Sequence, residues 1–378
     1  MSLEQDFSLK GHNTFGIEAK AENFFSFEKE EELFQFAETR MDSDQPFFIL
    51  GGGSNVLFRN NFAGIVLHSK INTIEKLSED ESFVTLRAGS GLEWDTFVDY
   101  CVSNKYYGIE NLSLIPGNIG AAPVQNIGAY GTEVKEVIEG VWVYDLGAKQ
   151  KRYLSNEECN FEYRNSIFKN NNKKNLMVLF VDFTLHKVSP TKRSLNSRNG
   201  NLFARYFKHL GIILTNIIRA FKTLRFNRKT NSVSIDYRVL KKLMENLGFI
   251  SLRKARKMII KKRNSKIPSP SYIGNAGSFF KNPVVSIEKA DLIRKNYSDV
   301  VVYPVDEKKV KISAGWLIKK VPIPNSPNDT VGLYKNQTLI VVNKGNATGE
   351  EIFKYSEEIL QAVQKEFDIK LEREVVVI

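Results

Sequence analysis

Residues 47–58 limit the fold more than any other stretch. Phe47-Phe-Ile-Leu50 is an apolar run of strand length, Val56-Leu-Phe58 starts another, and Gly51-Gly-Gly-Ser-Asn55 joins them. Without side chains at Gly51, Gly52 and Gly53, backbone can come close to a ligand. The amides through Ser54 and Asn55 are then free to meet phosphate oxygens. The dinucleotide fingerprint of doubly wound folds is different: it needs GxGxxG opening a helix, whereas this chain returns to strand residues. From this loop alone, a glycine hairpin with no ligand remains open.

A second small-residue stretch narrows the choice. Residues 113–131 hold four glycines, three alanines and two prolines with no charge. Nineteen such residues are uncommon as inert surface loop. Ser113, Pro116, Gly117, Gly120, Ala121, Gly128 and Ala129 can let main chain lie flat against a ring system. A pyrophosphate cradle plus such a wall suits FAD. A buried connector is the plain alternative.

Composition removes several classes. The two cysteines, Cys101 and Cys159, form no CxxC, so no metal site is expected and a reduced cytoplasmic setting is the default. No signal peptide is read at the start, and no apolar run approaches membrane-spanning length. The net charge of +11 is regional: residues 189–266 carry 21 Lys or Arg against two acids, Asp236 and Glu245. That argues for one basic face rather than general nucleic-acid affinity. Within it, residues 189–232 hold ten Lys or Arg and no acid. Apolar residues from Phe203 to Leu224 recur there at helical spacing, as in a basic amphipathic helix. Packing on its own enzyme, a peripheral membrane or protein contact, and nucleic acid are its possible uses, with no nucleic acid expected.

Periodicity predicts a helix over 23–40, strands over 63–68, 83–88, 139–144, 177–185 and 338–342, and helices over 92–103 and 348–367. The last opens on Thr348-Gly-Glu-Glu351, a capping-box pattern.

Candidate chemistry gathers at three places. In Asn275-Ala-Gly-Ser-Phe-Phe-Lys-Asn-Pro283, Ser278 follows a glycine in a tight turn. Arg164 offers a fixed cationic fork for a carboxylate, and Glu374 closes a Glu-x-Glu pair with Glu372. Ordinary turn, ion-pair and strand-edge roles compete at each position. No histidine lies near Ser278 in sequence, and GxSxG is absent there, which weakens a nucleophilic-serine reading. With the glycine loops, the three places suggest a flavin enzyme that adds hydride to an activated double bond and then a proton.

Asn13-Thr-Phe-Gly16, Leu50-Gly-Gly-Gly-Ser-Asn-Val-Leu57, residues 113–131, Tyr163-Arg-Asn-Ser-Ile-Phe-Lys169, residues 274–283, Ser313-Ala-Gly-Trp-Leu-Ile318 and Leu371-Glu-Arg-Glu-Val375 occur in one order. Together the chain resembles the UDP-N-acetylenolpyruvoylglucosamine reductase family over most of its length except roughly 189–232. The resemblance implies an α+β fold: a two-lobed FAD-binding domain of the vanillyl-alcohol oxidase/p-cresol methylhydroxylase type plus a smaller α/β substrate-binding domain. The implied layout is 1–70 and 71–188 for the FAD lobes, 189–232 for the basic insert, and 233–378 for substrate and the catalytic tail.

The resemblance further implies noncovalent FAD, NADPH as reductant, a UDP-sugar enolpyruvate substrate, peptidoglycan precursor synthesis and a cytoplasmic monomer. Arg164, Ser278 and Glu374 match its catalytic arginine, proton donor and glutamate. Tyr163, Tyr237, Arg263, Lys266, Asn282 and Gln337 match substrate contacts, Tyr237 belonging to the subclass that closes a tyrosine-bearing loop over the nucleotide. Arg373 and Val376 stand where many relatives have proline and arginine. A related flavin oxidase and an inactive basic binding module are the competing readings. The first is disfavoured because neither glycine loop carries a His or Cys for tethering flavin.

Overall fold

A computed structural model describes residues 2–41, 45–170, 175–187, 225–227, 232–234, 251–324 and 329–378. The first lobe contains β1 (Ser2–Ser8), β2 (Lys20–Phe27), α1 (Glu30–Thr39), β3 (Phe47–Ile49), β4 (Val56–Leu57) and β5 (Phe62–Ser69). Its sheet runs β1-β2-β5-β3, with β1 antiparallel and the other pairs parallel. The helix expected over 23–40 is shorter than the pattern suggested. Phe24, Phe25 and Phe27 are buried in β2, and α1 begins only at Glu30. Buried aromatics in a pleated strand outweigh the helical spacing of the flanking acids.

The second lobe contains β6 (Ile74–Glu79), β7 (Phe83–Gly89), α2 (Trp94–Ser103), β8 (Gly128–Ala129), β9 (Thr132–Glu133), β10 (Ile138–Asp145), β11 (Gln150–Ser155) and β12 (Leu176–His186). The antiparallel sheet runs β11-β10-β12-β7-β6. The central strand β12 is apolar along most of its length, as its place between two neighbours requires. Buried Trp94, Phe97 and Phe183 pack α2 onto it, 4.7 Å separating the two phenylalanine rings.

The short strands β13 (Arg225–Asn227) and β14 (Ser232–Ser234) pair antiparallel. The rest of the basic stretch 189–232, and Tyr237, lie outside the described residues. Helix α3 (Leu252–Asn264) follows, capped by the Ser251 hydroxyl, which accepts from Lys254 N. Arg256 docks it on α2 with a two-pronged contact to Asp95 at 2.6 and 2.9 Å.

The remaining region holds β15 (Gly274–Asn275), β16 (Val284–Ser286), α4 (Ile287–Asn296), β17 (Val302–Pro304), β18 (Lys309–Ile312), α5 (Ala314–Lys319), β19 (Val331–Tyr334), β20 (Gln337–Asn343), α6 (Gly349–Phe367) and β21 (Val376–Val377). Thr348 and Glu351 cap α6 reciprocally, as the sequence pattern anticipates. This region shares one apolar core with the first lobe: Phe15, Phe24, Leu57 and Phe58 meet Phe279, Phe280, Ile352 and Val363. The tail closes the link, because β21 pairs in parallel with β4, the strand that leaves the glycine loop. Mixed sheets with helices set against them give the α+β class.

Candidate functional site

The two small-residue stretches face each other across a cavity of about 620 Å³. Ser54 Oγ donates to Pro116 O at 3.0 Å, joining the loops at one edge. A Cβ at Gly52 would stand 2.5 Å from Asn118 Oδ1 and 2.9 Å from Gly117 Cα, so only glycine permits this approach. Asn55 spans three segments: its Nδ2 donates to Gln125 Oε1 at 2.8 Å and to the Glu374 carbonyl at 3.1 Å. Gly51, Gly52, Gly53, Ser54, Asn55, Pro116, Gly117, Gly120 and Ala121 all line the cavity. The other three residues read as cofactor contacts sit elsewhere. Ser113 is fully buried and its hydroxyl donates to Glu110 O. Gly128 and Ala129 form β8 under Arg164.

Arg164 lies in a turn closed by mutual backbone bonds between Glu162 and Asn165. Its Nη2 donates to Gly128 O at 2.6 Å, and a Cβ on Gly128 would come within 2.9 Å of its Nη1. Arg164 Nε stands 2.9 Å from Glu374 Oε1, yet its hydrogen is not aligned along that line. Charge attraction rather than a directed hydrogen bond holds this pair together. Both side chains are mostly buried, at 20% and 13% exposure.

Backbone pairing sets Glu374 beside the serine segment. Glu374 N donates to Phe279 O at 2.8 Å, Lys281 N donates to Glu372 O at 2.9 Å, and Phe280 bridges Arg373. Ser278, half-buried, directly precedes the residue that pairs with Glu374. The turn before it is fixed by Asn275, whose Oδ1 accepts from Gly277 N, with Gly277 at φ +68°. Glu372, the sequence competitor, is 68% exposed and pairs with Lys281 at the surface. The buried carboxylate of the two is Glu374.

Burial pushes the Glu374 carboxyl above the ordinary range, against the pull of Arg164, Lys169 and Lys281. Burial also brings the Lys169 ammonium down to about 8. The site therefore combines an acid that keeps its proton to higher pH than usual with a cluster of cations.

Two of the residues matched to substrate contacts meet beside it. The Asn282 side chain lies near the Tyr163 hydroxyl and accepts from Ala314 N at 2.9 Å, and Lys311 Nζ lies 3.9 Å from the Tyr163 ring centre. Gln337 opens β20, its Oε1 beside Gly315. Arg263 is largely buried, and its Nε donates to Leu114 O at 3.2 Å, bracing the start of the second wall. Lys266 stands exposed just beyond α3.

Sequence reasoning gave no role to Lys169 or Lys281, and met Arg373 only as a departure from the proline of many relatives. Lys169 ends the quoted Tyr163–Lys169 motif, which was the one available signal. Arg373 Nε donates to Ser356 Oγ at 2.9 Å, and its guanidinium pairs with Glu357 and stacks on Phe353, 4.6 Å from that ring's centre. It thus clamps the Glu374 segment to α6.

Two family models and full-length relatives match the chain. Residues 269–378 match the family model described as UDP-N-acetylenolpyruvoylglucosamine reductase, C-terminal domain, and residues 22–149 match an FAD binding domain. The UDP-N-acetylenolpyruvoylglucosamine reductase of Porphyromonas gingivalis strain W83 is 37% identical over 376 residues, 99% of each chain. That of Flavobacterium johnsoniae is 35% identical over 378 residues, 100% of each. The crystal structure of the Thermus caldophilus enzyme superposes with a TM-score of 0.61 at 18% identity, covering 100% of this chain and 99% of the other, a likeness of fold.

Proposed function

Because the chain belongs to the UDP-N-acetylenolpyruvoylglucosamine reductase family, we propose that it uses NADPH and noncovalent FAD to convert UDP-N-acetylglucosamine enolpyruvate to UDP-N-acetylmuramate. The residues present fit FAD. Two glycine-bearing loops form a cradle that a Cβ at Gly52 would fill, and amides of residues 51–55 border the same cavity. Among the described residues no His or Cys lines that cavity, which favours noncovalent binding. When bound, FAD supplies the hydride, taken from NADPH, that adds to the enolpyruvyl double bond.

This chain's own residues govern the charge and the proton. Hydride addition leaves negative charge on the neighbouring carbon and its carboxylate. The Arg164 guanidinium, held by Gly128 O, is a preorganised partner for that charge. Ser278 donates its hydroxyl proton to the carbanionic carbon. A hydroxyl is a weak acid, but the carbon is a far stronger base. Glu374, whose carboxyl burial raises above the ordinary range, would in its protonated form donate to the developing carboxylate, and in its ionised form it holds Arg164 in place. Tyr163, Asn282, Gln337, Arg263, Lys266 and Tyr237 hold the uridine and diphosphate.

The observation that carries this reading is the buried Arg164–Glu374 pair, with Glu374 lining the cavity and its N–H bonded to Phe279 O, next to Ser278. The test is optical. Anaerobic holoprotein should lose its yellow absorbance with NADPH and regain it with the enolpyruvyl nucleotide; a colourless protein, or one not recoloured, would refute the reading.

The same reading assigns 1–70 and 71–188 to FAD and 233–378 to substrate, in a cytoplasmic monomer. Among the described residues no helix is long and apolar enough to cross a membrane. The basic stretch 189–232 has two readings, packing on its own enzyme and a peripheral membrane or protein contact. Equal co-sedimentation with anionic liposomes by wild type and a 195–230 deletion would end the membrane reading.

A further inference from the structure

Tyr163 and Arg164 are the two central residues of the turn closed by Glu162 and Asn165. Arg164 has φ +54°, while Tyr163 is not in the left-handed region. Glycine or asparagine ordinarily fills the second central position of such a turn. A side chain as large as arginine persists there only where its surroundings hold it. The guanidinium end is held by Gly128 O and Glu374. The backbone end is held by Lys169, whose Nζ donates to Arg164 O at 3.0 Å.

Lys169 is well placed for this. It ends the short 3-10 helix Ile167–Lys169, whose Ile167 N donates to Cys159 O and whose Phe168 is buried, so the origin of its side chain is fixed. It lines the same cavity as Lys281 and Glu374. Lys281, Arg164, Glu374 and Glu372 are the charged groups facing it. Among the described residues it makes no ion pair, so a cation is largely removed from water for one hydrogen bond to a carbonyl. Such a placement costs stability and calls for a reason.

We propose that Lys169 is a positioning residue for the reaction: by donating to the Arg164 carbonyl it keeps the turn left-handed and the guanidinium aimed at Glu374 and the substrate carboxylate. This rests on the reductase reading. Lys169 carries no proton to substrate; it acts through Arg164.

Lys169→Met keeps most of the stem and removes the donor. With the FAD-loaded protein in stopped flow, flavin reduction by NADPH should stay within about threefold of wild type. Reoxidation by the enolpyruvyl nucleotide should slow on the order of 10–100-fold, the scale of a small misplacement of a reacting group. That loss should fall on kcat rather than KM, and Lys169→Arg, which keeps a cationic donor, should recover most of it. Reoxidation by wild type should decline as pH rises through about 8, where the ammonium deprotonates, and Lys169→Met should lack that limb. Unchanged reoxidation in Lys169→Met overturns the inference, as does a folded variant that cannot take up FAD, which would make Lys169 a cofactor contact. A crystal structure of Lys169→Met tests the point without activity: Arg164 should leave the left-handed region, and an unchanged φ overturns the inference. If wild type itself fails to turn over the nucleotide, the reductase reading falls, and the crystal structure still judges Lys169.

Discussion

Gly52→Ala tests whether the cavity depends on the close approach of the two loops. The new Cβ would lie 2.9 Å from Gly117 Cα and 2.5 Å from Asn118 Oδ1. Carbon atoms rest at about 3.5–4.0 Å, so the loops must part by about 0.6–1.1 Å. Asn118 can swing away only by giving up its 2.7 Å bond to Gly91 O, a loss of about 1 kcal/mol. Gly117 is backbone and can move only with its loop, and overpacking of this kind costs about 1–3 kcal/mol. If that strain is met by displacing the cradle, FAD affinity should fall about 10–100-fold, since about 1.4 kcal/mol is tenfold in binding. Titrating apoprotein with FAD and following flavin fluorescence measures this directly. Gly11→Ala is the control, because its Cβ would meet nothing within 4 Å; FAD affinity should be unchanged. Equal FAD affinity in Gly52→Ala and wild type would refute the argument that this contact shapes the site.

Three further outcomes follow from the same geometry. Arg373→Ala removes the Ser356 bond, the Glu357 pair and the stacking on Phe353, and should destabilise the protein by about 2–4 kcal/mol in urea unfolding, read as a lower midpoint. Glu374→Gln should change how stability depends on pH. The folded carboxyl holds its proton more tightly than the unfolded one, so its contribution is complete below the unfolded value and is lost as pH rises through the folded value. The difference between wild type and Glu374→Gln should therefore shift against wild type on going from acid to neutral pH; an opposite shift would contradict the burial argument. Arg164→Ala should weaken nucleotide binding and slow reoxidation of the reduced enzyme, and an unchanged reoxidation rate would remove it from the mechanism.

What the sequence disclosed depended on how local the physics was. The strand–glycine–strand unit at 47–58 was legible because three consecutive glycines between apolar runs leave few alternatives, and β3, the loop and β4 follow that pattern. The capping box of α6 is equally local. The start of α1 was misread because Phe24, Phe25 and Phe27 fit both a helical face and a buried strand, and only pairing with β5 decides between them. The choice of Glu374 over Glu372 rested on family likeness; burial of one and exposure of the other supply a physical basis for it. Gly128 was read as a flavin wall, yet it makes room for Arg164, a contact 36 residues away along the chain. Lys169 was invisible as a participant, and Arg373 showed only as a replacement for proline, because their partners, Arg164 O and the α6 side chains, become neighbours only in the fold.

The most direct test of the whole account separates the two half-reactions of Ser278→Ala by stopped flow. Flavin reduction by NADPH should proceed at close to the wild-type rate, and reoxidation by the enolpyruvyl nucleotide should slow by about 10²–10⁴, the usual worth of a positioned proton donor. Equal loss in both halves, or no loss in the second, would contradict the assignment of the proton to Ser278.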